Sequence, residues 1–302
     1  MSSASPTPLP HALDAERVEF EGRAGRLSYY VAGDGEPLLL IHSINAAGSA
    51  YEVKPIFDYY RSSRRVYVLD LPGYGFSDRS DRDYTVQLFT DALHDMIGRI
   101  DHPTGIDALA LSLSSEFLAR AASEAPRRFR SLSFITPTGF TAGSEKLREP
   151  AGSTREMAWL YNILTLPLWR QGLYRLLVRP GVIRYFLKRT NGSSDYDAGL
   201  AAYDDITTHQ PDAEHAPYAF LSGKLFSKDI RTIYESLEMP VWLPHATRGD
   251  FKDFRGADWM RERSNWTVEP ITGGALPHFE TPDTFFPAAD RFFESISKTL
   301  AQ

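Results

Sequence analysis

IDALALSLSSEFLARA (residues 106–121) is the stretch that decides the fold. Its first six residues are a short, mostly apolar run typical of a buried strand, and residues 117–125 follow as a helix. Ser112 lies between them, flanked two positions away by the small residues Ala110 and Ser114 in place of the usual glycines. A nucleophile elbow has this pattern, because large flanking side chains would collide with the strand or helix at so sharp a turn. A helix N-cap serine is the alternative interpretation.

Composition excludes several function classes. The chain has 302 residues, of which 42% are hydrophobic, enough for a sizeable core. Its net charge of -6 gives no electrostatic support for nucleic-acid binding. The absence of cysteine excludes thiolate metal sites and a cysteine nucleophile. Since His209, His215 and His245 lack the spacing of metal ligands, we expect neither a metal nor another cofactor.

The N-terminal segment does not look like a targeting sequence. Residues 1–12 are rich in serine and proline and lack the basic and apolar regions of a signal peptide, so we expect a disordered tail. No apolar run is long enough to span a membrane. The sequence therefore predicts a cytoplasmic protein with a small-molecule substrate and without a membrane partner. It leaves the oligomeric state open, with a homodimer as one option.

The order of predicted elements indicates the fold class. A hairpin over residues 17–32 precedes strands at residues 37–41, 65–69, 106–111 and 131–135, with helical stretches between them. This order predicts an α/β fold, a mostly parallel sheet with helices on both faces. Ligands bind beyond the carboxyl ends of such strands, where His42, Asp70, Ser112 and Thr136 lie.

The alternation stops near Pro137. Residues 139–238 contain helical segments rich in aromatic residues and leucine, which predict a helical cap, or lid, inserted into a core of residues 13–138 and 239–302. Strands resume at residues 240–244 and 266–271, before a final helix from about residue 282. We expect most large apolar side chains of the cap to be packed, and some to reach the substrate, with Trp159 and Trp169 as candidate contacts.

Four stretches resemble the α/β-hydrolase superfamily, in its serine-nucleophile, capped form. PLLLIHS resembles the strand and H-G turn that supplies one oxyanion-hole amide, and VLDLPGYGFSD resembles the D-x-P-G-x-G-x-S loop. ALSLS resembles the nucleophile elbow, and LPHFETP resembles the G-H-x-x-x-x-x-P segment that bears the catalytic histidine. The four stretches occur in the expected order and spacing, and the resemblance extends over nearly the whole chain, from about Val18 to the final helix.

The resemblance implies a catalytic triad in the chain order serine, acid, histidine. Ser112 would be the nucleophile and His278 its base. Asp250 is the preferred acid, because it lies closer to where the family places one, while Asp253 stays open as an alternative.

The resemblance also implies an oxyanion hole formed by two backbone amides. One belongs to Leu113, after the nucleophile, and the other to Ile44, in the loop after His42. Ser43 replaces the usual glycine of this loop, so the side chains of Ser43 and Asn45 are further candidate substrate contacts.

The predicted function is a serine hydrolase that cleaves a carboxylic ester or related acyl substrate with hydrophobic groups through an acyl-enzyme at Ser112. Hydrolysis of a carbon–carbon bond by the same triad is the nearest alternative, and thioester, lactone and amide cleavage also fit. A non-catalytic binding protein on a hydrolase scaffold is the alternative from another class. The replaced glycines favour that alternative, whereas an apparently complete triad disfavours it.

Overall fold

The computed structural model describes residues 7–144 and 149–300, without the side chains of residues 299 and 300. Within these residues one eight-stranded sheet has the order β1-β2-β4-β3-β5-β6-β7-β8. β1 and β2 are antiparallel to their neighbours, and the pairings from β4 to β8 are parallel. The strands are β1 Glu16–Gly22, β2 Gly25–Ala32, β3 Pro37–Ile41, β4 Arg65–Asp70, β5 Ile106–Leu111, β6 Phe129–Ile135, β7 Val241–Ala246 and β8 Trp266–Ile271.

Helices cover both faces of the sheet, as the α/β prediction requires. The central strands β3 and β5 are buried along their whole length, which explains why their sequences are apolar apart from Asp107. The helices are α1 Lys54–Tyr60, α2 Val86–Ile100, α3 Ser114–Glu124, α4 Ala158–Leu164, α5 Arg170–Leu177, α6 Pro180–Asn191, α7 Ala198–Thr208, α8 His215–Leu221, α9 Ile230–Ser236, α10 Asp258–Arg261, α11 Pro277–Glu280 and α12 Pro282–Leu300.

Two hydrophobic cores lie on opposite faces of the sheet. Phe89 of α2 stacks on Phe117 of α3 in one of them, with ring centroids 4.8 Å apart. In the other, Phe57 of α1 packs with the aromatic residues of α12, such as Phe285. Successive residues of β5 alternate between the two cores, so the strand that carries the elbow is held from both sides.

Helices α4 to α9 lie between β6 and β7, in the segment predicted as a cap. The sequence analysis did not predict α7. Its start is nevertheless marked by Asp197, whose side chain accepts a hydrogen bond of 2.6 Å from the amide of Leu200.

The described part of the predicted tail is ordered by contacts with the rest of the chain. The amide of Ala12 donates to the hydroxyl of Tyr30, and the carbonyl of Pro10 accepts from Tyr203 of α7. The disordered-tail prediction is therefore wrong for residues 7–12, because partners far along the sequence satisfy their backbone. Residues 1–6 lie outside the described residues.

The cap differs from the prediction in where its apolar side chains lie. Leu168 is 87% exposed and Trp159 64% exposed, and no residue of α4 is buried. The short helices pack through one face only, onto a small cluster that contains Tyr174 and Ile183. The expectation that most large apolar residues of the cap are packed is therefore wrong for these positions.

Candidate functional site

Ser112 forms the turn between β5 and α3 with a φ of 50°. Its amide donates to the carbonyl of Ile135 on β6 (3.0 Å), and its carbonyl accepts from the amide of Ser115 (3.1 Å). A positive φ is uncommon for residues other than glycine. Since the N-cap position of α3 is Leu113, Ser112 is not the helix N-cap considered as its alternative role. Its side chain is partly exposed.

The burial of the two residues that flank the turn explains why both are small. Ala110 and Ser114 are both fully buried. The Ser114 hydroxyl donates to the carbonyl of His42 at 2.6 Å, and the buried Ser115 hydroxyl donates to the carbonyl of Ala110. The hydroxyls of Ser114 and Ser115 are therefore both bound to the backbone, and the elbow is tied to the loop that follows β3.

A second strained residue lies at the neighbouring strand end. Thr136, directly after β6, has a φ of 46° and is 4% exposed. Its buried hydroxyl has no hydrogen-bond partner among the described residues. A β-branched residue at positive φ costs on the order of 1–3 kcal/mol, and such strain is concentrated at functional sites. Two adjacent strand ends, at Ser112 and Thr136, thus carry backbone strain.

The predicted oxyanion amides are those of Leu113 and Ile44. Both residues are buried, and neither amide donates a hydrogen bond to another described residue. Backbone donors without a partner are rare in protein interiors. Because the bond from Ser114 to His42 holds the loop after β3 against the elbow, both amides belong to the same region.

The side chains of Ser43 and Asn45 bind Glu52, which lies in the 3-10 turn Ala50–Val53. The Ser43 hydroxyl and the Asn45 amide each donate to the Glu52 carboxylate at 2.9 Å, and the Ser43 backbone amide does so at 2.7 Å. Burial raises the pKa of Glu52, and these hydrogen bonds partly offset the rise. Both side chains thus hold the loop through Glu52, and their role as substrate contacts stays a prediction. The sequence analysis missed Glu52.

His278 is 1% exposed and lies in α11. Its Nε2 is 2.7 Å from the carbonyl of Glu52, and its Nδ1 is buried without a partner among the described residues. Since a carbonyl only accepts, Nε2 carries the proton in this tautomer. Burial lowers the pKa of His278 to about 4, although the bond to the carbonyl works in the opposite direction. The imidazole is therefore neutral near pH 7.

The two candidate acids lie elsewhere. Asp250 is paired with Arg189 of the cap (2.6 Å), and its side chain is 42% exposed. Asp253 is bound to Arg255, which lowers the pKa of its carboxyl. Among the described residues, the structure forms no hydrogen bond from His278 to Ser112 or to either acid. The predicted triad is not joined in this arrangement, because each member other than Ser112 has a different partner.

The sequence contains a signal for this difference. The G-H-x-x-x-x-x-P pattern places five residues between its histidine and its proline, whereas three separate His278 from Pro282. Ala275 and Leu276 occupy the positions of the G-H pair. This shift places His278 inside α11 instead of in the preceding turn.

The cap reaches the site through two polar contacts. The hydroxyl of Tyr174 on α5 donates to the carbonyl of Ala46, in the loop after β3, at 2.9 Å. The guanidinium of Arg79 bridges the carbonyl of Gly75 in the core and both oxygens of Thr207 on α7. Local sequence patterns do not reveal these contacts, because their partners are far apart along the chain. The two aromatic candidates, Trp159 and Trp169, lie instead at the exposed surface of the cap.

Comparison with known proteins identifies the family. A family model described as "Alpha/beta hydrolase family" matches residues 38–288. The chain belongs to the α/β-hydrolase family. The match covers the elbow, the loop after β3 and the segment that bears His278, so these features are parts of a hydrolase fold.

Individual relatives are more distant. A 63-residue segment is 36% identical to the (E)-2-((N-methylformamido)methylene)succinate hydrolase of Acinetobacter baylyi, and it spans 21% of this chain and 23% of that enzyme. A solved serine hydrolase involved in carbazole degradation is 16% identical, with a TM-score of 0.72 over 92% of this chain and 99% of that one. The epoxide hydrolase CorEH is 17% identical, with a TM-score of 0.72 over 94% and 100%. These two structures share the fold of this chain.

One cluster of polar side chains lies outside the elbow region. Asp212, Glu214 and His215 have ligand-type atoms within 4.8 Å of one another, an arrangement that the histidine spacing did not predict. Arg170 lies 3.8 Å from the carboxylate of Glu214 and 2.7 Å from that of Asp81. We interpret the cluster as an ion-pair network between cap and core.

Glu116, one helical turn after Ser112, gives a prediction about stability and pH. It is 2% exposed, accepts from the Thr138 hydroxyl and the Ser227 amide, and burial raises its pKa to about 7. Ionising this carboxyl in the folded state costs about 3 kcal/mol. The cost is absent below about pH 4.5, where folded and unfolded states are both protonated, and it grows as pH rises to 7.

We therefore expect the free energy of unfolding of Glu116→Gln, minus that of wild type, to increase by about 3 kcal/mol from pH 4.5 to pH 7.5. Urea unfolding at both pH values measures this difference. The exposed Glu238→Gln is the control. A difference between variant and wild type that does not change with pH would contradict the assignment.

Proposed function

We propose that this hydrolase attacks a carboxylic ester or a related acyl compound with the hydroxyl of Ser112. The observation that carries the proposal is the elbow itself. Ser112 is held at a φ of 50° with a partly exposed side chain, next to a buried amide of Leu113 that has no hydrogen-bond partner among the described residues. An accessible nucleophile beside an available backbone donor is the arrangement that acyl transfer requires.

In the proposed reaction, the Ser112 oxygen attacks the substrate carbonyl carbon while His278 takes the hydroxyl proton. The amides of Leu113 and Ile44 donate to the oxyanion, and the leaving group departs with the proton. Water then attacks the acyl-enzyme while His278 takes its proton, and His278 returns that proton to the Ser112 oxygen as its bond to the acyl carbon breaks and the acid is released. No cofactor takes part in these steps.

The proposal requires His278 to exchange its partners. Its Nε2 must leave the carbonyl of Glu52, and its proton must move to Nδ1, the atom that has no partner among the described residues. A buried polar atom without a partner requires an explanation. An acid that binds Nδ1 in the reactive state supplies one, and Asp250 is the residue proposed for that role.

A fluorophosphonate probe tests the proposal directly. It should label the protein once, and mass spectrometry of the digest should locate the label on Ser112. Ser114→Ala is the matched control and should label like wild type, since the Ser114 hydroxyl binds the carbonyl of His42. Absence of labelling, or a label on another residue, would reject Ser112 as the nucleophile.

The substrate is proposed to carry a hydrophobic acyl or aryl group. Ile44, Leu113 and Tyr174 are buried residues of the elbow region and of the adjoining cap helix. Apolar surroundings favour apolar substrate groups, by roughly threefold to fourfold in affinity for each buried methylene.

We expect kcat/KM for p-nitrophenyl esters to rise from acetate to hexanoate, by about an order of magnitude or more. Steady-state assays in one detergent-free buffer measure kcat/KM for each ester, after the rate of spontaneous hydrolysis has been subtracted. A steady fall with chain length would contradict the proposed preference.

The acid is tested by a matched pair of variants. Asp250→Asn should lower turnover by about three to four orders of magnitude if Asp250 orients His278 in the reactive state. Asp253→Asn should change turnover little, because Asp253 is bound to Arg255 at the surface. Wild-type turnover in Asp250→Asn would show that this carboxylate serves only the ion pair with Arg189.

A second candidate function is a binding protein without catalysis on the same fold. The specific observation in its favour is that His278 and Asp250 are bound to Glu52 and Arg189 instead of to each other. Such a protein would bind acyl compounds without turnover and would not react with the fluorophosphonate probe. The labelling experiment therefore separates the two candidates.

A further inference from the structure

The outer surface of the cap combines exposed apolar side chains with positive charge. Among the described residues, twelve large hydrophobic side chains are exposed, and nine of them lie between residues 157 and 186. They are Met157, Trp159, Ile163, Leu166, Leu168, Trp169, Leu176, Tyr185 and Phe186. A monomeric soluble protein rarely leaves so many together in water, and such a patch typically marks an interaction surface.

These residues lie on α4, α5 and α6 and in the segments just before and between α4 and α5. The inner faces of α4, α5 and α6 meet in one small cluster, to which Leu164, Tyr174 and Ile183 contribute. The opposite faces of the same helices therefore point away from the core. Trp169 donates from its indole nitrogen to the carbonyl of Ile163, an exposed bond that joins α4 to the start of α5. We call the nine exposed residues and the outer faces of α4 to α6 the cap surface.

The charge of this segment is opposite to that of the whole protein. Residues 157–194 contain no aspartate or glutamate, although the chain has a net charge of -6. The same segment contains six basic residues, Arg170, Arg175, Arg179, Arg184, Lys188 and Arg189. Arg170 pairs with Asp81 and Arg189 with Asp250, while the other four make no ion pair with a described carboxylate. All four are exposed.

We propose that the cap surface binds anionic lipid bilayers, with its aromatic and leucine side chains in the headgroup region and its arginines on lipid phosphates. Tryptophan and leucine beside arginine and lysine on helices that lie flat are typical of interfacial binding. Anionic headgroups would repel an acidic protein surface, but residues 157–194 contain no acidic residue that would cause such repulsion. The contact is peripheral, since none of the described helices has the length and apolar character to cross a bilayer. It departs from the expectation from sequence that no membrane takes part.

Vesicle co-sedimentation with the full chain tests the proposal. Wild type should bind vesicles of equal parts phosphatidylglycerol and phosphatidylcholine at 0.1 M NaCl, bind pure phosphatidylcholine at least tenfold more weakly, and dissociate in about 0.5 M NaCl. Its tryptophan emission should shift to the blue on binding, as Trp159 and Trp169 enter the headgroup region. Equal binding to both vesicle types, or no binding, would overturn the proposal.

Two sets of variants separate the apolar and electrostatic parts. Trp159→Ser/Leu168→Ser should lose at least tenfold in affinity, and Arg175→Gln/Arg184→Gln about thirtyfold, at roughly fivefold for each basic residue. The control for the apolar variant is Tyr59→Ser, which replaces an exposed aromatic residue outside the cap. The control for the charge variant is Arg127→Gln/Lys252→Gln, which removes two positive charges outside the cap surface. Equal loss in variants and controls would show that binding is not specific to the cap surface.

A second copy of the chain is the competing occupant. Size-exclusion chromatography with light scattering should give a monomer for wild type without lipid. A wild-type dimer that Trp159→Ser/Leu168→Ser converts to monomer, together with no vesicle binding, would overturn the proposal and assign the cap surface to self-association. Circular dichroism of each variant confirms that a loss of binding is not a loss of fold.

Discussion

Ser112→Ala is expected to lower kcat/KM by about four to six orders of magnitude and to abolish labelling by a fluorophosphonate. Without the hydroxyl no acyl-enzyme forms, so the residual rate would come only from the oxyanion amides acting on bound water. The fold should be unaffected, because Ser112 contributes only its backbone to the hydrogen bonds that the structure shows at the turn. Burst kinetics with a chromogenic ester measure the effect.

The control for this variant is Ser114→Ala. Its hydroxyl donates to the carbonyl of His42, so its loss should lower the melting temperature and change kcat/KM by less than about tenfold. A Ser112→Ala protein with wild-type turnover would eliminate the acyl-enzyme mechanism. It would leave the family assignment intact, since that rests on the sequence match over residues 38–288.

His278→Gln is the variant with the second largest expected effect, a loss of about three to six orders of magnitude in kcat. Glutamine can still donate to the carbonyl of Glu52, so α11 should keep its place. It cannot accept the proton of Ser112, so the serine stays a weak nucleophile. Both turnover and the rate of fluorophosphonate labelling should fall together, because each depends on the same deprotonation.

His245→Gln is the matched control. His245 is another largely buried histidine, near the end of β7, where it stacks on Phe254, and burial lowers its pKa as well. Its replacement should affect stability without loss of labelling. If His278→Gln labelled at the wild-type rate, the imidazole would have only the structural role that its bond to Glu52 already shows, and the base would have to be another group.

Much of the fold was determined by sequence alone. The apolar run of β3 and the mostly apolar run of β5 predicted the bounds of both strands correctly, because strands covered on both faces need no polar alternation. The small residues Ala110 and Ser114 predicted the elbow for a steric reason that is entirely local. The three-residue spacing between His278 and Pro282 was also present in the sequence, as a departure from the family pattern.

The tertiary structure decided which side chains are available to the site. Ser43 and Asn45 bind Glu52, and His278 bonds to the carbonyl of the same glutamate, a pairing across 226 positions that no local pattern encodes. Burial also depends on tertiary structure. The sequence shows that Trp159 is apolar, but Trp159 is exposed because the short helices of the cap pack through one face only. Sequence fixes what a residue can do chemically and which local turn it enters. Its partner, and therefore its protonation and exposure, depends on long-range packing.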